Sequence, residues 1–345
     1  MDPKKNIINM EDYIPPLDGR RGMLRLDFNE NTLGPSPKVL ETLRNLKDTE
    51  ISAYPEYAQF QQKLSDYLKI DLKNLVITNA TDEAISVIMQ TYISPGDQVI
   101  IPVPTFAMFK FYAEVAGAKI TEVLLNPNLQ FPLKRVLKQI TKKTKLVIVC
   151  SPNNPTGLII KRKDIVKVLE TGALVLVDEA YSQFSGESCS DLIDKYSNLI
   201  VIQTFSKAFG LGGLRLGYAL SNEAIIKNLK KVRSPYSVNS AAVKAGLAAL
   251  DDKDYLQWYI KQIKLGKKYV YDEFEKLRIK TYPTDANFFL AKFGKNAEDI
   301  VEKLKTKGIL VRDRSSYKLL KGCVRITIGT KTQMKQLVKA IIELK

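Results

Sequence analysis

The sequence predicts an α/β protein, with a large domain built on a mostly parallel sheet between helices and a smaller α+β domain. Between residues 75 and 220, short apolar runs alternate with segments whose apolar residues recur at helical spacing, which is typical of parallel strands joined by crossover helices. After residue 220 the pattern changes to long helices without intervening strands. The chain then closes in the order β-β-α-β-β-α. These changes of pattern predict the two domains.

Seven strands are predicted in the large domain. The run LVIT at 75–78 precedes a helical segment at 82–93, and PGDQVIIPVP at 95–104 is typical of a turn followed by a strand. Helices over about 106–117 and 132–140 lead to further strands. The remaining strands are the apolar runs at 119–125, 145–150, 173–178, 199–204 and 215–220.

The second half of the chain predicts the smaller domain. Helices over about 222–232, 238–250 and 254–276 are followed by the strand, helix and strand patterns at 278–283, 287–293, 297–307, 309–313 and 323–329. We place the large domain at 33–253 and the small domain at 1–32 and 254–345. The segment before residue 32 has no core of its own, so we expect it to pack on the small domain.

Composition narrows the classes of function. The 345 residues are 45% hydrophobic and 26% charged, as in an ordinary globular protein. The sequence has no apolar run long enough to span a membrane and no apolar stretch at its start, so we expect a cytoplasmic protein without a membrane partner. The formal net charge of +16 favours anionic partners. The lysines that produce most of this charge are scattered through helices without interleaved aromatic residues, so we expect no nucleic-acid partner.

The histidine and cysteine content excludes several kinds of catalytic and metal site. The sequence contains no histidine, which excludes Ser-His-Asp triads, zinc sites built on histidine and imidazole bases. Cys150, Cys189 and Cys323 are widely spaced and predict neither a disulfide framework nor a metal site. Proton transfer must therefore come from Lys, Asp, Glu, Tyr or a bound cofactor.

Polar residues follow several predicted strands at their carboxyl ends, where ligands collect in open parallel sheets. Ala80, Thr81 and Asp82 open a helix whose free N–H groups could bind an anion, although Thr81 or Asp82 could equally be a helix N-cap. The turn SPNNPTG at 151–157 is fixed by two prolines and a glycine, which would hold an asparagine amide in one place.

Two further strand ends carry ionisable groups. Asp178 ends one strand with Tyr181 three residues on, and a buried aspartate is costly unless it meets a cation, although Asp178 could also cap a loop or helix. Lys207 follows the next strand without an adjacent carboxylate, so desolvation could lower its pKa and free its amine as a nucleophile. Taken alone, Lys207 could equally be a surface lysine.

The combination predicts a pyridoxal phosphate enzyme. Such a site needs a lysine for the Schiff base, an aspartate to keep the pyridine nitrogen protonated, and a helix start with an arginine to neutralise the phosphate. Lys207, Asp178, the helix start at Ala80 and Arg215 supply these parts on successive strands.

Several motifs in one order resemble the fold-type I aminotransferases, and specifically the histidinol-phosphate aminotransferases. The similarity covers essentially the whole chain and implies a fold-type I pyridoxal phosphate-dependent transferase. The motifs are LDFNENTLGPSP (26–37), AYP (53–55), NATDEAI (79–85), PTFAMF (104–109), SPNNPTG (151–157), DEAY (178–181), TFSKAFGLGGLRLGY (204–218), DANFFL (285–290), GILVRD (308–313) and CVRITIGT (323–330).

The resemblance implies roles for individual residues in binding pyridoxal 5'-phosphate. Lys207 would form the Schiff base, Asp178 would meet the pyridine nitrogen, and Asn154 and Tyr181 would meet the ring hydroxyl. Phe106 stands where the family usually has a tyrosine stacked on the ring, so the stacking is kept and the hydroxyl is lost. The phosphate would be held by Ala80, Thr81, Asp82, Thr204, Ser206 and Arg215. We expect Lys207, Asp178 and Tyr181 to be the catalytic residues.

The resemblance also implies how substrates bind. Arg325 would meet the glutamate α-carboxylate and, in the other half-reaction, the histidinol phosphate group, since a guanidinium suits both anions. Arg312, Tyr13 and Asn154 would add substrate contacts. Tyr54 would reach the cofactor phosphate of a neighbouring subunit, which implies a homodimer with shared sites.

The implied reaction exchanges an amino group between L-glutamate/2-oxoglutarate and L-histidinol phosphate/imidazole acetol phosphate, in histidine biosynthesis. An aromatic or broad-range aminotransferase and a threonine-phosphate decarboxylase are alternatives on the same scaffold. A rival of another class is a non-catalytic DNA-binding regulator with this fold. It would need a helix-turn-helix segment, for which residues 1–31 are too short and too rich in proline.

Overall fold

Seven strands form the central sheet of the computed structural model, which describes residues 1–8, 10, 11, 14 and 16–344. Strand β1 (Leu24–Arg25) comes first in the chain and lies outside this sheet. The seven strands of the sheet are β2 (Leu75–Thr78), β3 (Gln98–Val103), β4 (Lys119–Leu124), β5 (Thr144–Cys150), β6 (Leu174–Asp178), β7 (Leu199–Thr204) and β8 (Gly217–Ser221). They lie in the order β2-β8-β7-β6-β5-β3-β4. Strand β8 runs antiparallel to β2 and β7, and the other neighbours are parallel. The predicted sheet is therefore confirmed.

Helices connect most of the strands, and none in the described part of the chain is long and apolar enough to cross a membrane. They are α1 (Lys5–Ile8), α2 (Pro37–Arg44), α3 (Asp48–Ser52), α4 (Ala58–Leu68), α5 (Ala80–Tyr92), α6 (Ala107–Val115), α7 (Leu133–Gln139), α8 (Arg162–Leu169), α9 (Ser182–Ser185), α10 (Glu223–Val232), α11 (Ser240–Leu250), α12 (Lys253–Lys276), α13 (Ala297–Thr306) and α14 (Lys331–Ile342). Short 3₁₀ turns lie at Leu72–Asn74, Ser190–Leu192, Gly212–Leu214 and Gly294–Asn296.

Both faces of the central sheet are buried, which explains why its strands are continuous apolar runs rather than alternating ones. Along β5, Val147 and Val149 join the core on one face, and Leu146 and Ile148 join the core on the other. Helices α4, α8 and α11 cover the first face, and α5, α6 and α10 cover the second.

The register of the sheet brings the polar strand ends together. Cys150 at the end of β5 lies beside Asp178 at the end of β6. Thr204 ends β7 opposite Gly217, the first residue of β8, and Gly217 also lies opposite Thr78 at the end of β2. The carboxyl edge of the sheet therefore presents the ends of four neighbouring strands, together with the start of β8.

A second, antiparallel sheet lies in the last third of the chain. It has the order β12-β13-β10-β9, formed by β9 (Lys280–Thr281), β10 (Phe288–Lys292), β12 (Arg312–Asp313) and β13 (Cys323–Thr327). The segment ILVRD, predicted as one strand, is divided at Val311. Its first part, β11 (Ile309–Leu310), pairs with β1, while β12 pairs with β13. The division sets Arg312 directly opposite Arg325.

The N-terminal segment contacts both parts of the chain. Leu26 is fully buried in the core that surrounds the second sheet, whereas Asn6 of α1 donates to the carbonyl of Glu114 in α6. Helix α12 also contributes to two cores, with Leu256 packed beside the central sheet and Val270 beside the second one. The domain limits at 32/33 and 253/254 stay a prediction.

Candidate active site

A cavity of about 430 Å³ opens at the carboxyl edge of the central sheet. Among the predicted site residues that the structure describes, it brings together all except Tyr54. The predicted residues that line it are Ala80, Thr81, Asp82, Phe106, Asn154, Asp178, Tyr181, Thr204, Ser206, Lys207, Arg215, Arg312 and Arg325. Tyr13 lies outside the described residues. Tyr54 is 76% exposed and stacks on Tyr236, with ring centroids 4.4 Å apart.

Lys207 lies just beyond β7 with its side chain partly buried. Its Nζ donates to the backbone carbonyl of Phe28 at 2.9 Å and lies 5.9 Å from the centre of the Tyr181 ring. Burial, together with the positive charge of Arg325, lowers the pKa of Lys207 to about 8. Only about a tenth of the amine is therefore unprotonated at pH 7, but this is far more than for an ordinary lysine, and the neutral amine can act as a nucleophile.

Asp178 is 3% exposed at the end of β6. Its Oδ1 accepts a hydrogen bond from the backbone N–H of Ala180 at 2.9 Å, which is a local contact within the strand end rather than a cap on a helix. Burial raises the pKa of Asp178 to about 7. A cationic N–H partner would offset this cost, so the carboxyl fits a protonated ring nitrogen.

Tyr181 is 3% exposed, and its ring packs edge-on against Phe288 with centroids 5.0 Å apart. The phenol oxygen accepts a hydrogen bond from Nδ2 of Asn29 at 2.9 Å. Burial raises the pKa of the Tyr181 phenol, which keeps the phenol protonated across the neutral range.

The start of α5 forms an anion-binding cradle. Asn79 is the N-cap residue but its side chain caps no N–H group, and Thr81 and Asp82 lie in the first turn rather than at the cap. Gly217 of β8 lies so close that a Cβ atom there would be 2.7 Å from the carbonyl carbon of Ala80. Uncapped N–H groups at the start of a helix suit a phosphate.

Hydroxyl and guanidinium groups complete the cradle. The Thr204 hydroxyl donates to the Ser206 hydroxyl at 2.9 Å. Arg215 Nη2 lies 2.6 Å from Asp82 Oδ2, and the same guanidinium donates to the carbonyl of Gly212. Donors of three kinds therefore converge on the α5 start, as a phosphate group requires.

Arg325 is the buried cation of the second sheet, with 3% exposure. Its Nη1 donates to Asn154 Oδ1 at 2.6 Å, and its Nη2 donates to the backbone carbonyl of Asp27. Burial and the nearby Arg314 and Arg312 lower the pKa of Arg325 to about 9, so it stays a cation at neutral pH. Within the described residues its Nε has no partner and no carboxylate pairs with it. A buried guanidinium of this kind fits an anionic ligand.

Phe106 is the N-cap residue of α6 and lines the cavity, with its ring edge-on to Phe109 at 5.6 Å. An aromatic ring that lines a cavity can stack on an aromatic ligand, and phenylalanine offers no hydroxyl there.

Sequence reasoning missed several residues that line the cavity or reach its key groups. Arg314 and Tyr317 line it beyond Arg312, and the two-residue spacing of Arg312 and Arg314 on an extended segment could have indicated that both face one side. Phe28 and Asn29 line it from the motif LDFNENTLGPSP, to which the sequence assigned no contact.

Comparison with known proteins shows the family of this chain. The family described as aminotransferase class I and II matches residues 21–341. A histidinol-phosphate aminotransferase of Caldanaerobacter subterraneus is 37% identical over 93% of this chain and 92% of its own, and one of Methanosarcina mazei is 34% identical over 98% and 95%.

Solved structures agree on the fold. The histidinol-phosphate aminotransferase of Sinorhizobium meliloti, crystallised with pyridoxal-5'-phosphate, superposes with a TM-score of 0.90 at 24% identity, over 99% of this chain and 98% of its own. The sequence matches extend over nearly the whole length of this chain and of each relative, as expected for members of one family. The chain therefore belongs to the class I and II aminotransferases, in the group of the histidinol-phosphate aminotransferases.

Proposed function

We propose that this chain uses pyridoxal 5'-phosphate to exchange an amino group between L-glutamate/2-oxoglutarate and L-histidinol phosphate/imidazole acetol phosphate. One observation carries the proposal: a single cavity holds a partly buried lysine, a buried carboxyl and two distinct groups of anion-binding side chains. One group is the cradle at α5 with Arg215, and the other is the pair Arg325 and Arg312.

The cradle suits the cofactor phosphate, with donors from Ala80, Thr81, Asp82, Thr204, Ser206 and Arg215. When bound, pyridoxal phosphate supplies an electron-withdrawing ring that stabilises negative charge on the substrate α-carbon. Asp178 would accept the N–H of the ring nitrogen, Asn154 and Tyr181 would meet the ring hydroxyl, and Phe106 would stack on the ring. These residues line one cavity, which supports the assignment.

Lys207 is the residue that moves protons. Its amine would hold the cofactor and would become free when a substrate amine takes its place. The Nζ atom is a base whose pKa is lowered by burial, so it could take the proton from the substrate α-carbon and later return it. Asp178 and Tyr181 would hold the ring in the charge state that this transfer needs.

The second group of cations would select the substrate. Arg325 is buried and lacks a carboxylate partner within the described residues, so the α-carboxylate of glutamate and the phosphate of histidinol phosphate both suit it. Arg312, on the neighbouring strand, would add a contact to the phosphate. Tyr13 remains part of the proposal on resemblance alone.

Half-reactions test the substrate. The holoenzyme would be mixed in a stopped-flow spectrometer with histidinol phosphate, threonine phosphate or phenylalanine, and the loss of visible cofactor absorbance recorded. We expect histidinol phosphate to convert the cofactor fastest. Conversion by phenylalanine alone would instead support an aromatic or broad-range aminotransferase, and release of carbon dioxide from threonine phosphate would support the decarboxylase.

We propose further that the enzyme is a cytoplasmic homodimer, in which Tyr54 reaches the partner's cofactor. The exposed position of Tyr54, away from the cavity of its own chain, supports this. Co-expression of Tyr54→Ala and Lys207→Ala chains tests it at limiting cofactor. Random pairing leaves about a quarter of the sites intact if they are shared. Activity no higher than that of the separate variants would contradict the shared site.

A further inference from the structure

We propose that Asn29 is a positioning residue that fixes the Tyr181 phenol as a hydrogen-bond donor toward the bound cofactor. The inference rests on the proposed function, because it concerns the partner of the ring hydroxyl. It adds a residue outside the cofactor contacts that the sequence predicts. Its evidence is a set of buried hydrogen bonds that runs from the second sheet through Asn29 to the cavity.

Asn29 is held rigidly. It is 1% exposed, and its φ of 57° lies in the left-handed region, where asparagine is one of the few tolerated residues other than glycine. Its backbone N–H donates to the Thr327 hydroxyl at 3.0 Å, and its carbonyl accepts from Nδ2 of Asn287 at 3.1 Å. Thr327 and Asn287 are fully buried, so the second sheet sets the position of Asn29.

The orientation of the Asn29 amide follows from these contacts. The Thr327 hydroxyl accepts from the Asn29 backbone and lies 3.5 Å from Asn29 Oδ1, which it can reach as a donor. That arrangement turns Nδ2 toward Tyr181, where it lies 2.9 Å from the phenol oxygen. An amide nitrogen can only donate, so the phenol oxygen must accept.

The proton of the phenol is thereby directed elsewhere. Within the described residues, the Tyr181 O–H donates to no protein group. Since Tyr181 lines the cavity, its O–H group is able to donate a hydrogen bond to a ligand bound there. A donor next to a ring oxygen stabilises the anionic form of that oxygen, because the hydrogen bond is strongest to a charged acceptor.

Other charged groups also face Tyr181 and must stay constant in any test. They are Arg325, Asp178 and Lys207, together with the buried thiol of Cys150. Replacing Asn29 with glycine changes none of them and adds no charge. An effect that passes through the phenol can therefore be separated from a general change in the field of the site.

The test is a pH titration of the visible absorbance of the lysine-bound cofactor in the holoenzyme. Asn29→Gly keeps the left-handed backbone accessible and removes the amide, so the phenol can rotate away from the cofactor. We expect the spectroscopic pKa to rise by about one unit, which is a tenfold change in the proton equilibrium. Asn29→Asp should also raise it, because its carboxylate would accept the phenol proton. If the glycine variant does not fold, the titration is made with Asn29→Asp instead.

A double-mutant cycle distinguishes positioning from a structural role. In a Tyr181→Phe background, Asn29→Gly should leave the spectroscopic pKa where Tyr181→Phe alone sets it. Asn74→Ala is the matched control, since it removes another buried asparagine that donates to a backbone carbonyl, at 2.7 Å from Ser221. It should lower the melting temperature without moving the spectrum.

Two results would overturn the inference. One is an unchanged spectroscopic pKa in both Asn29 variants. The other is an equal shift with and without the Tyr181 hydroxyl. Failure of the proposed function would look different, since the wild-type protein would then remain colourless with pyridoxal phosphate, or keep its spectrum unchanged on addition of histidinol phosphate.

Discussion

The contact between Gly217 and the start of α5 provides a sharp test of the phosphate cradle. A Cβ atom at Gly217 would lie 2.7 Å from the Ala80 carbonyl carbon and 3.0 Å from the Thr81 nitrogen. Both atoms belong to backbone, so no side chain can rotate to make room. The two segments would have to separate by about 0.7 Å to reach ordinary van der Waals contact.

The variant Gly217→Ala therefore moves the N–H groups that would hold the cofactor phosphate. Overpacking of this kind costs about 1–3 kcal/mol, which corresponds to roughly a five- to 150-fold loss if it falls on cofactor affinity. Gly213→Ala is the matched control, because a Cβ atom at Gly213 would meet nothing beyond its chain neighbours within 4 Å, and Gly213 has no left-handed φ.

Affinity for pyridoxal phosphate would be measured by absorbance titration of the apoprotein, beside the melting temperatures of the apo and holo forms. We expect Gly217→Ala to bind the cofactor more weakly and to gain less stability from it than wild type, and Gly213→Ala to behave as wild type. Wild-type affinity in Gly217→Ala would refute the assignment of the phosphate to the start of α5.

Three further outcomes are expected. Burial raises the pKa of Asp178 to about 7 in the folded apoprotein, so the stabilising contribution of its protonated form is present at acid pH and is lost as the pH rises through 7. Asp178→Asn should remove roughly 4 kcal/mol from the pH dependence of the unfolding free energy, measured by denaturant unfolding between pH 4 and 8. The pH dependence that Glu179 contributes, with the same slope, should remain. Phe106→Ala should weaken cofactor binding about tenfold in the absorbance titration, because a stacking face is lost, and unchanged binding would exclude stacking. Arg325→Lys should lower kcat/KM roughly tenfold or more for both glutamate and histidinol phosphate, whereas Arg312→Lys should affect only the phosphorylated substrate.

The sequence predicts the parts of the site that lie at strand ends. A strand buried on both faces must be apolar throughout, so its last residue is conspicuous when it is polar, as at Asp178. Lys207 could be placed in the same way once β7 was located. The fold predicted from these patterns is confirmed, and so is the family that the sequence motifs resemble.

The contacts of the N-terminal segment could not be predicted in this way. Asn29 looks like a loop residue in its own neighbourhood, and its partners lie 152, 258 and 298 positions away at Tyr181, Asn287 and Thr327. The division of ILVRD has the same cause, because β11 pairs with β1 near the other end of the chain. Local propensity does not record which distant strand a short segment will pair with.

The same N-terminal segment explains how the cavity can favour anions before any ligand is present. The carbonyl of Phe28 accepts from Lys207, and the carbonyl of Asp27 accepts from Arg325, so both cations are held by neutral acceptors. Both bonds are already charge-assisted through their donors, but an ionised acceptor adds direct Coulomb attraction to each cation, so a carboxylate or phosphate gains by replacing a carbonyl. A neutral ligand would gain little from that exchange. Selection for anions therefore arises from these buried contacts, and the scattered surface lysines that produce most of the +16 charge are not needed for it.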